Sequence, residues 1–354
     1  MSTTLVTTKD AKKFVFFSPL TKGNCGRPIK IKASLLPQFI SLVDPKSHDG
    51  QTIIRHIQGL RATAGQGGSY QNMNNAFEHM ERVKHVQICY KILQVDANSP
   101  VGVYITDLRS AYAGDGKKAG LYSVGKVGSN LTIKDTLGLA ISGANIVING
   151  SCSSNEHASE NALKLTSTSS TVLFYNPSHV VNELGFWSNP TKHANNAQLA
   201  ASTLAEVLMK NQNRTSSLNW HIEGEGAALL VQALSKVTGE LSNQKFRFID
   251  PVGDTTTTIN LLKGKKAQLA SDVVSYSGKR AAAISLLGQR NKLANTIKSL
   301  VSPGHPVHQE REKNVNKLMS DTSVNAAKFS GAMNMANGGQ TTFTDMLKQL
   351  QGLV

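Results

Sequence analysis

The chain is short of three things. It has only three cysteines in 354 residues. Cys25, Cys89 and Cys152 lie far apart and form no CxxC pair, so neither a zinc knuckle nor a disulfide framework is indicated and reduced, partly buried thiols are expected. It also lacks long apolar runs. FVFF, Phe14 to Phe17, is the apolar core of the N-terminal stretch and is too short for a signal-peptide h-region, and nothing approaches the roughly 18 residues of a membrane helix. The expectation is a chain that is not transmembrane, is cytoplasmic when synthesised, and is either exported without a cleaved Sec signal or built into a particle. Finally it is poor in acid: 23 Asp and Glu stand against 38 Lys and Arg, a formal charge of +15. That favours an anionic partner, whether acidic protein, nucleic acid or anionic lipid, without choosing among them.

The length allows one large core or two ordinary ones. Up to Leu35 the chain is basic, with Lys9, Lys12, Lys13, Lys22, Arg27, Lys30 and Lys32 against Asp10. From Leu35 to Tyr90 the pattern is helical, with one stripe of Ile53, Ile54, Ile57 and Leu60 and another of Met73, Phe77, Met80 and Val83, separated by the flexible loop Ala64 to Ser69. Short strands follow at Ile88 to Val95, Val101 to Thr106, Gly120 to Val124, Ser129 to Ile133 and Gly143 to Ile148. Between them GDGKKAG, Gly114 to Gly120, fits neither the Walker spacing nor a dinucleotide fingerprint; it is expected to be a hairpin turn exposing Lys117 and Lys118, and no cofactor or metal is implied.

From Gly143 strands and helices alternate, which predicts a mostly parallel sheet covered on both faces. Ser153 with Glu156 forms a capping box for a helix running through Leu163. Val172 to Tyr175 and Lys245 to Pro251 read as strands, and Asn195 to Met209 as a helix with Leu199, Thr203, Val207 and Leu208 on one face. Beyond Leu261 the chain becomes basic and helical. Lys263, Lys265, Lys266, Lys279, Arg280, Arg290 and Lys292 form the densest anion-attracting set, and a helix from Tyr276 to Val301 buries Ile284, Leu287, Leu293, Ile297 and Leu300. Ser320 to Thr342 looks like a linker. The final FTDMLKQLQGLV is a short amphipathic helix with Phe343, Met346, Leu347 and Leu350 on one face, and it must dock on its own domain or on a protein partner.

The most informative stretch is Thr215 to Leu234. Leu218 to Ile222 read as a buried strand, Glu223 to Gly226 as a tight glycine turn, and Ala227 to Val237 as a helix, the geometry of a nucleophile elbow. Here Trp220, Gly226 and Ala228, together with an Asn149–Gly150 turn, the Ala-rich helix after it and Tyr175–Asn176–Pro177 at a strand end, resemble the α/β-hydrolase-like domain of bacterial toxins and filamentous haemagglutinin-type proteins. The resemblance covers about a third of the chain. It places Gly224 where that family has its nucleophilic serine, Glu223 where it has histidine and Glu225 where it has glutamine. It implies an α/β architecture: an N-terminal α+β region over 1–140, an α/β-hydrolase-like domain over 141–320, and a linker with a C-terminal helix over 321–354.

A serine hydrolase also needs an acid and a histidine downstream of its elbow. Asp254, better placed than Asp250, and His305, with His308 behind it, fill those places, so Gly224, Asp254 and His305 are vestigial positions of a site without its nucleophile. Glu223 and Glu225 flank the apex and could act instead as general base or nucleophile. Their Glu-Gly-Glu pairing, with the STSS run Ser167 to Ser170 and Arg109 upstream, is similar to an ADP-ribosyltransferase. The leading expectation is a toxin- or effector-like protein with a pseudoenzyme hydrolase domain serving as a binding or structural scaffold. The alternatives are an enzyme using Glu223 and Glu225, and a basic anion- or nucleic-acid-binding structural protein.

Overall fold

The computed structural model describes residues 14–18, 26–62, 77–93, 102–110, 117–140, 143–150, 152, 154–177, 190–213, 216–337 and 341–351. Lys9 to Lys13, Lys22, Cys25, the loop 64–69, Met73, Gly114 to Gly116, Ser153 and residues 178–184 lie outside them. The chain divides into two compact units, 1–111 with 325–354, and 112–324. Cys89 and Cys152 are both buried thiols. Among the described residues no helix is long and apolar enough to cross a membrane.

The first unit opens with β1 (Phe14–Ser18), β2 (Ile29–Lys32), α1 (Leu36–Leu42) and α2 (His48–Gly59), followed by β3 (Glu78–Val83), β4 (Val86–Leu93) and β5 (Gly102–Ser110). Its five strands lie in the order β1-β2-β5-β4-β3. Of the expected stripe, Ile53, Ile57 and Leu60 are buried on α2 and its C-cap, whereas Ile54 is half-buried. His56 of α2 bonds Glu81 of β3 at 2.6 Å, and Glu81 also accepts from the Tyr90 hydroxyl, which pins the helix to two strands. The second predicted helix is instead β3, paired antiparallel with β4 from Glu78↔Lys91 to Val83↔Val86. Phe77 is 61 % and Met80 39 % exposed, so the residues that imitate a helical stripe do not share a buried face. Pairing with a distant strand overrides the local period.

The second unit contains β6 (Gly120–Val127), β7 (Asn130–Asp135), β8 (Asn145–Ile148), α3 (Asn155–Thr166), β9 (Ser170–Tyr175), α4 (Pro190–Lys210), β10 (Leu218–Glu223), α5 (Gly226–Leu234), β11 (Gln244–Ile249), α6 (Thr255–Gly264), β12 (Gln268–Ser275), α7 (Arg280–Leu287) and α8 (Arg290–Lys298), and α9 (His308–Asn337) leads back toward the first. The fold is α/β. Seven strands lie in the order β12-β11-β10-β8-β9-β6-β7. β12 through β9 are parallel, and β6 and β7 add an antiparallel edge. The expected division at 140 therefore falls inside this unit. β5 and β6, on either side of GDGKKAG, belong to different sheets; Gly114 to Gly116 lie outside the described residues, and Lys117 and Lys118 are exposed as expected.

One apolar cluster joins α4, α5, α6, α8 and the first turns of α9 to Ile146, Ile148, Phe174, Trp220, Ile222 and Phe246 on one face of the sheet. The other face is covered over β8, β9 and β6 by α3, through Ala158, Ala162 and Leu163. Right-handed crossovers dictate this split, since the chain moves one way across the sheet from β8 to β9 and the other way from β9, past β8, to β10. Local departures from the sequence reading have local causes. Ser154, not Ser153, caps α3, accepting from the His157 amide. In α4 the buried face is Ala200, Ala201, Leu204, Ala205 and Leu208, whereas Leu199 is 65 % exposed. A single helix from Tyr276 to Val301 is replaced by α7 and α8, broken at Gly288, and the basic region before it contains the strand β12. The expected linker is helical as far as Asn337.

α10 (Phe343–Gln351) completes the first unit. Phe343, Met346 and Leu347 are buried, and the Phe343 ring lies 5.6 Å from Phe17 of β1 and 5.0 Å from Phe39 of α1. The Thr344 hydroxyl donates to the Phe17 carbonyl. The C-terminal helix thus docks on its own unit.

Candidate functional site

In an open parallel sheet the loops leaving the carboxyl ends of the strands diverge where the strand order reverses, and the crevice there is the usual ligand site. Here that point lies between β8 and β10. The register is flush, Ile148 opposite Ile222 and Ile222 opposite Phe248, so the loops after β8, β10 and β11 emerge side by side.

Asn149 holds the first of these loops. It is 1 % exposed, its Nδ2 donates to the Gly150 and Asn176 carbonyls at 2.7 and 2.9 Å, and its Oδ1 accepts from the Asn176 amide at 2.7 Å. A side-chain amide engaged on both the N–H and the C=O of one residue extends the β8–β9 ladder by one rung. The Asn-Gly and Tyr-Asn-Pro motifs, 27 residues apart in sequence, are therefore one structural device. Nδ2 also approaches the Cys152 sulfur at 3.1 Å.

The elbow sits opposite. Strand β10 ends at Glu223, Gly224 has φ +50°, and α5 starts at Gly226. Its carbonyl accepts from Val252 at 3.0 Å and its amide donates to Ile249 at 3.1 Å, so β11 and the loop after it clamp the apex. At Gly226 an added Cβ would lie 3.1 Å from both the Ile148 carbonyl oxygen and its Cγ2, and 3.2 Å from the Asn149 oxygen. Glycine is required there because the helix starts directly against β8. At Gly224 the nearest atom to an added Cβ is the Gly150 Cα at 3.6 Å, so the apex has room for a side chain.

Three carboxylates line this crevice. Glu223 accepts from the Gly150 amide at 3.4 Å and from Lys279 Nζ at 2.8 Å, its side chain only 12 % exposed. Glu225 reaches over Gly150, where an added Cβ would be 3.0 Å from its Oε2. Asp250, buried at φ +47°, accepts from the Ser277 amide and hydroxyl at 2.7 and 2.5 Å and ties the end of β11 to the segment after β12. Burial pulls the Lys279 pKa down, but the Glu223, Asp250 and Glu225 carboxylates outweigh it and hold the ammonium above the ordinary lysine value. Among the described residues no group of three or more His, Cys, Asp or Glu is arranged to hold a metal ion.

The other residues expected in a site are placed elsewhere. Asp254 caps α6, its two oxygens on the Thr257 amide and hydroxyl at 2.9 and 2.7 Å, and these bonds lower its pKa. The acid beside the elbow is Asp250. His305 is exposed in the turn before α9, where its Nδ1 accepts from Val307. His308 opens α9, and three residues on Arg311 donates to the Leu269 carbonyl at the amino end of β12, the edge opposite Gly224. The histidine of a triad is therefore not brought to the elbow. Ser167 to Ser169 precede β9 and Ser170 opens it, about 16 Å along the strands from the level of Glu223, so they form no joint site with it. Arg109 lies on β5 of the other sheet.

The seven cations do not form one surface. Lys263 lies in the last turn of α6, at the end nearer the amino ends of the strands, and Lys265 and Lys266 follow that helix. Lys265 donates to the Val237 carbonyl at 2.7 Å, and Lys266 pairs with Glu240 at 2.5 Å. Lys279 and Arg280 follow the carboxyl end of β12. Arg290 and Lys292 open α8, whose preceding Gln289 bonds the Gly253 carbonyl at the same edge. Sequence reasoning located the elbow but missed Asn149 as a strut, ranked Asp250 behind Asp254, and read Lys279 as one of an anion-binding set rather than as the counter-ion of Glu223. The Asn-Gly and Asn-Pro motifs were a signal for the first; nothing local marks the other two. No family model, curated protein or solved structure matches the chain.

Proposed function

We propose that the 112–324 unit is an α/β-hydrolase-like fold without acyl-transfer chemistry, and that it serves a bacterial toxin- or effector-like protein as a binding scaffold. The observation that carries this reading is Gly224 at the apex of a strand–turn–helix junction at the switch point of the sheet, with φ +50° and no side-chain oxygen. The charge around the apex supports it. In a working elbow, N–H groups from the residue after the nucleophile and from the loop of an earlier strand hold the developing oxyanion. Here the Gly150 amide meets Glu223, and Glu225 lies against the same residue. Fixed negative charge where an oxyanion would form opposes acyl transfer. It suits a cationic group of a partner, which would replace Lys279 among the three carboxylates.

The test is ester turnover and fluorophosphonate labelling of the purified chain and of the triple variant Glu223→His, Gly224→Ser, Glu225→Gln. The chain itself is expected to show neither. Turnover by the unaltered chain that disappears in Glu223→Gln or Glu225→Gln would replace this reading with carboxylate-driven catalysis.

A further inference from the structure

The first unit sets a lysine against two aromatic rings, in an arrangement unrelated to the elbow. Antiparallel pairing sets Phe16 of β1 opposite Lys30 of β2, and parallel pairing sets Lys30 opposite Tyr104 of β5, so the three side chains stand in one row on one face of the sheet. The Lys30 Nζ donates to the Tyr104 hydroxyl at 3.1 Å and lies 5.3 and 5.0 Å from the Phe16 and Tyr104 ring centroids. Phe14 closes the far side of Tyr104, ring centroids 5.1 Å apart. Tyr104 is fully buried, whereas Phe16 is 39 % exposed, which leaves an approach from the β1 side. Lys91 stands directly opposite Tyr104 on β4, and Lys32 is exposed two residues along β2.

We propose that Lys30 is a carbonyl-condensing amine that forms an imine with small aldehydes or 2-oxo acids, with the Tyr104 hydroxyl relaying the protons. Burial lowers the Lys30 pKa, which raises the share of free amine near neutrality. Burial also lifts Tyr104 to about 12, so it remains a phenol and can donate a proton and regain it. In the reaction the Nζ lone pair adds to the carbonyl carbon, and the carbonyl oxygen takes a proton from Tyr104, which recovers one from the nitrogen. The carbinolamine then expels that oxygen as water as the second N–H proton leaves and the C=N bond forms. Both water protons come from the amine, and nothing is oxidised or reduced. Lys32 and Lys91 on the same face favour a carbonyl compound that carries a carboxylate or phosphate.

The full-length chain is incubated with glyoxylate and sodium cyanoborohydride near neutral pH, and the adduct on each lysine is followed by peptide mass spectrometry. Lys30 is expected to react about tenfold faster than Lys32, since burial lowers its pKa and leaves more of it as free amine, and its rate should level off at lower pH. Tyr104→Phe keeps the ring and removes the relay, so the Lys30 rate should fall about tenfold while Lys32 is unaffected. Equal rates at Lys30 and Lys32, or a folded Tyr104→Phe chain with an unchanged Lys30 rate, would overturn the proposal. If Tyr104→Phe does not fold, the Lys30 to Lys32 ratio in the unaltered chain decides.

Discussion

At the scale of single residues, the crevice is governed by close backbone approach and by who satisfies buried polar groups. Gly226→Ala forces a Cβ against the Ile148 and Asn149 oxygens at 3.1 and 3.2 Å and should cost about 1–3 kcal/mol in chemical denaturation. Gly224→Ser meets no such wall; its cost is the left-handed backbone, about 1–2 kcal/mol, so the variant should fold. Asn149→Ala leaves both backbone groups of Asn176 without their partner and should destabilise by about 2 kcal/mol, measured the same way. For Asp254 the pH dependence has a definite sign. Its folded pKa lies below the unfolded one, so on acidification the unfolded chain takes up the proton first. The stability from the cap is complete above the ordinary carboxylate pKa and is lost as pH falls through the depressed value. Asp254→Asn should flatten that part of the stability–pH curve. Gly224 and Gly226 were legible in the sequence because turns impose local rules; the Asn149–Asn176 contact was not, because nothing in either motif names its partner.

At the scale of elements, docking decides what a short amphipathic pattern becomes. α10 has nine residues, too few to persist alone, and is held by the rings of Phe17, Phe39 and Phe343. Phe343→Ala should therefore cost about 3–5 kcal/mol and speed amide exchange in Phe14–Ser18 and Leu36–Leu42, read by hydrogen–deuterium exchange. The same reasoning explains the misread elements. β3 carries helix-like spacing, but pairing with β4 places its polar and apolar residues by alternation. α9 looks like a linker because it is rich in Ser and Asn. Its Val315 and Leu318 nevertheless join an apolar cluster, and Thr322 returns its hydroxyl to the Leu318 carbonyl at 2.7 Å, which continues the helix.

At the scale of the whole molecule the chain carries a net +15, and in the second unit the seven singled-out cations divide between the two ends of the strands, with Lys266 paired to Glu240 and Lys279 to Glu223. Lys263→Glu with Lys266→Glu, and separately Arg290→Glu with Lys292→Glu, should each lower the salt concentration that elutes the chain from heparin. Combined, the two pairs should act additively, since they share no surface. A much larger combined effect would restore a single anion-binding face. What the sequence settled by itself was local in origin: the alternation of strands and helices after Gly143, the elbow between Glu223 and Gly226, the apolar face of the last helix, and the missing oxygen at Gly224. Tertiary structure alone decided which strands lie side by side, that Asp250 rather than Asp254 stands near the apex, that Lys279 meets Glu223, and that His305 points its turn to the other edge. Periodicity and turn chemistry act over a few residues and leave their mark in the chain order. Contacts between residues dozens of positions apart depend on strand order and crossover hand, which no single stretch encodes.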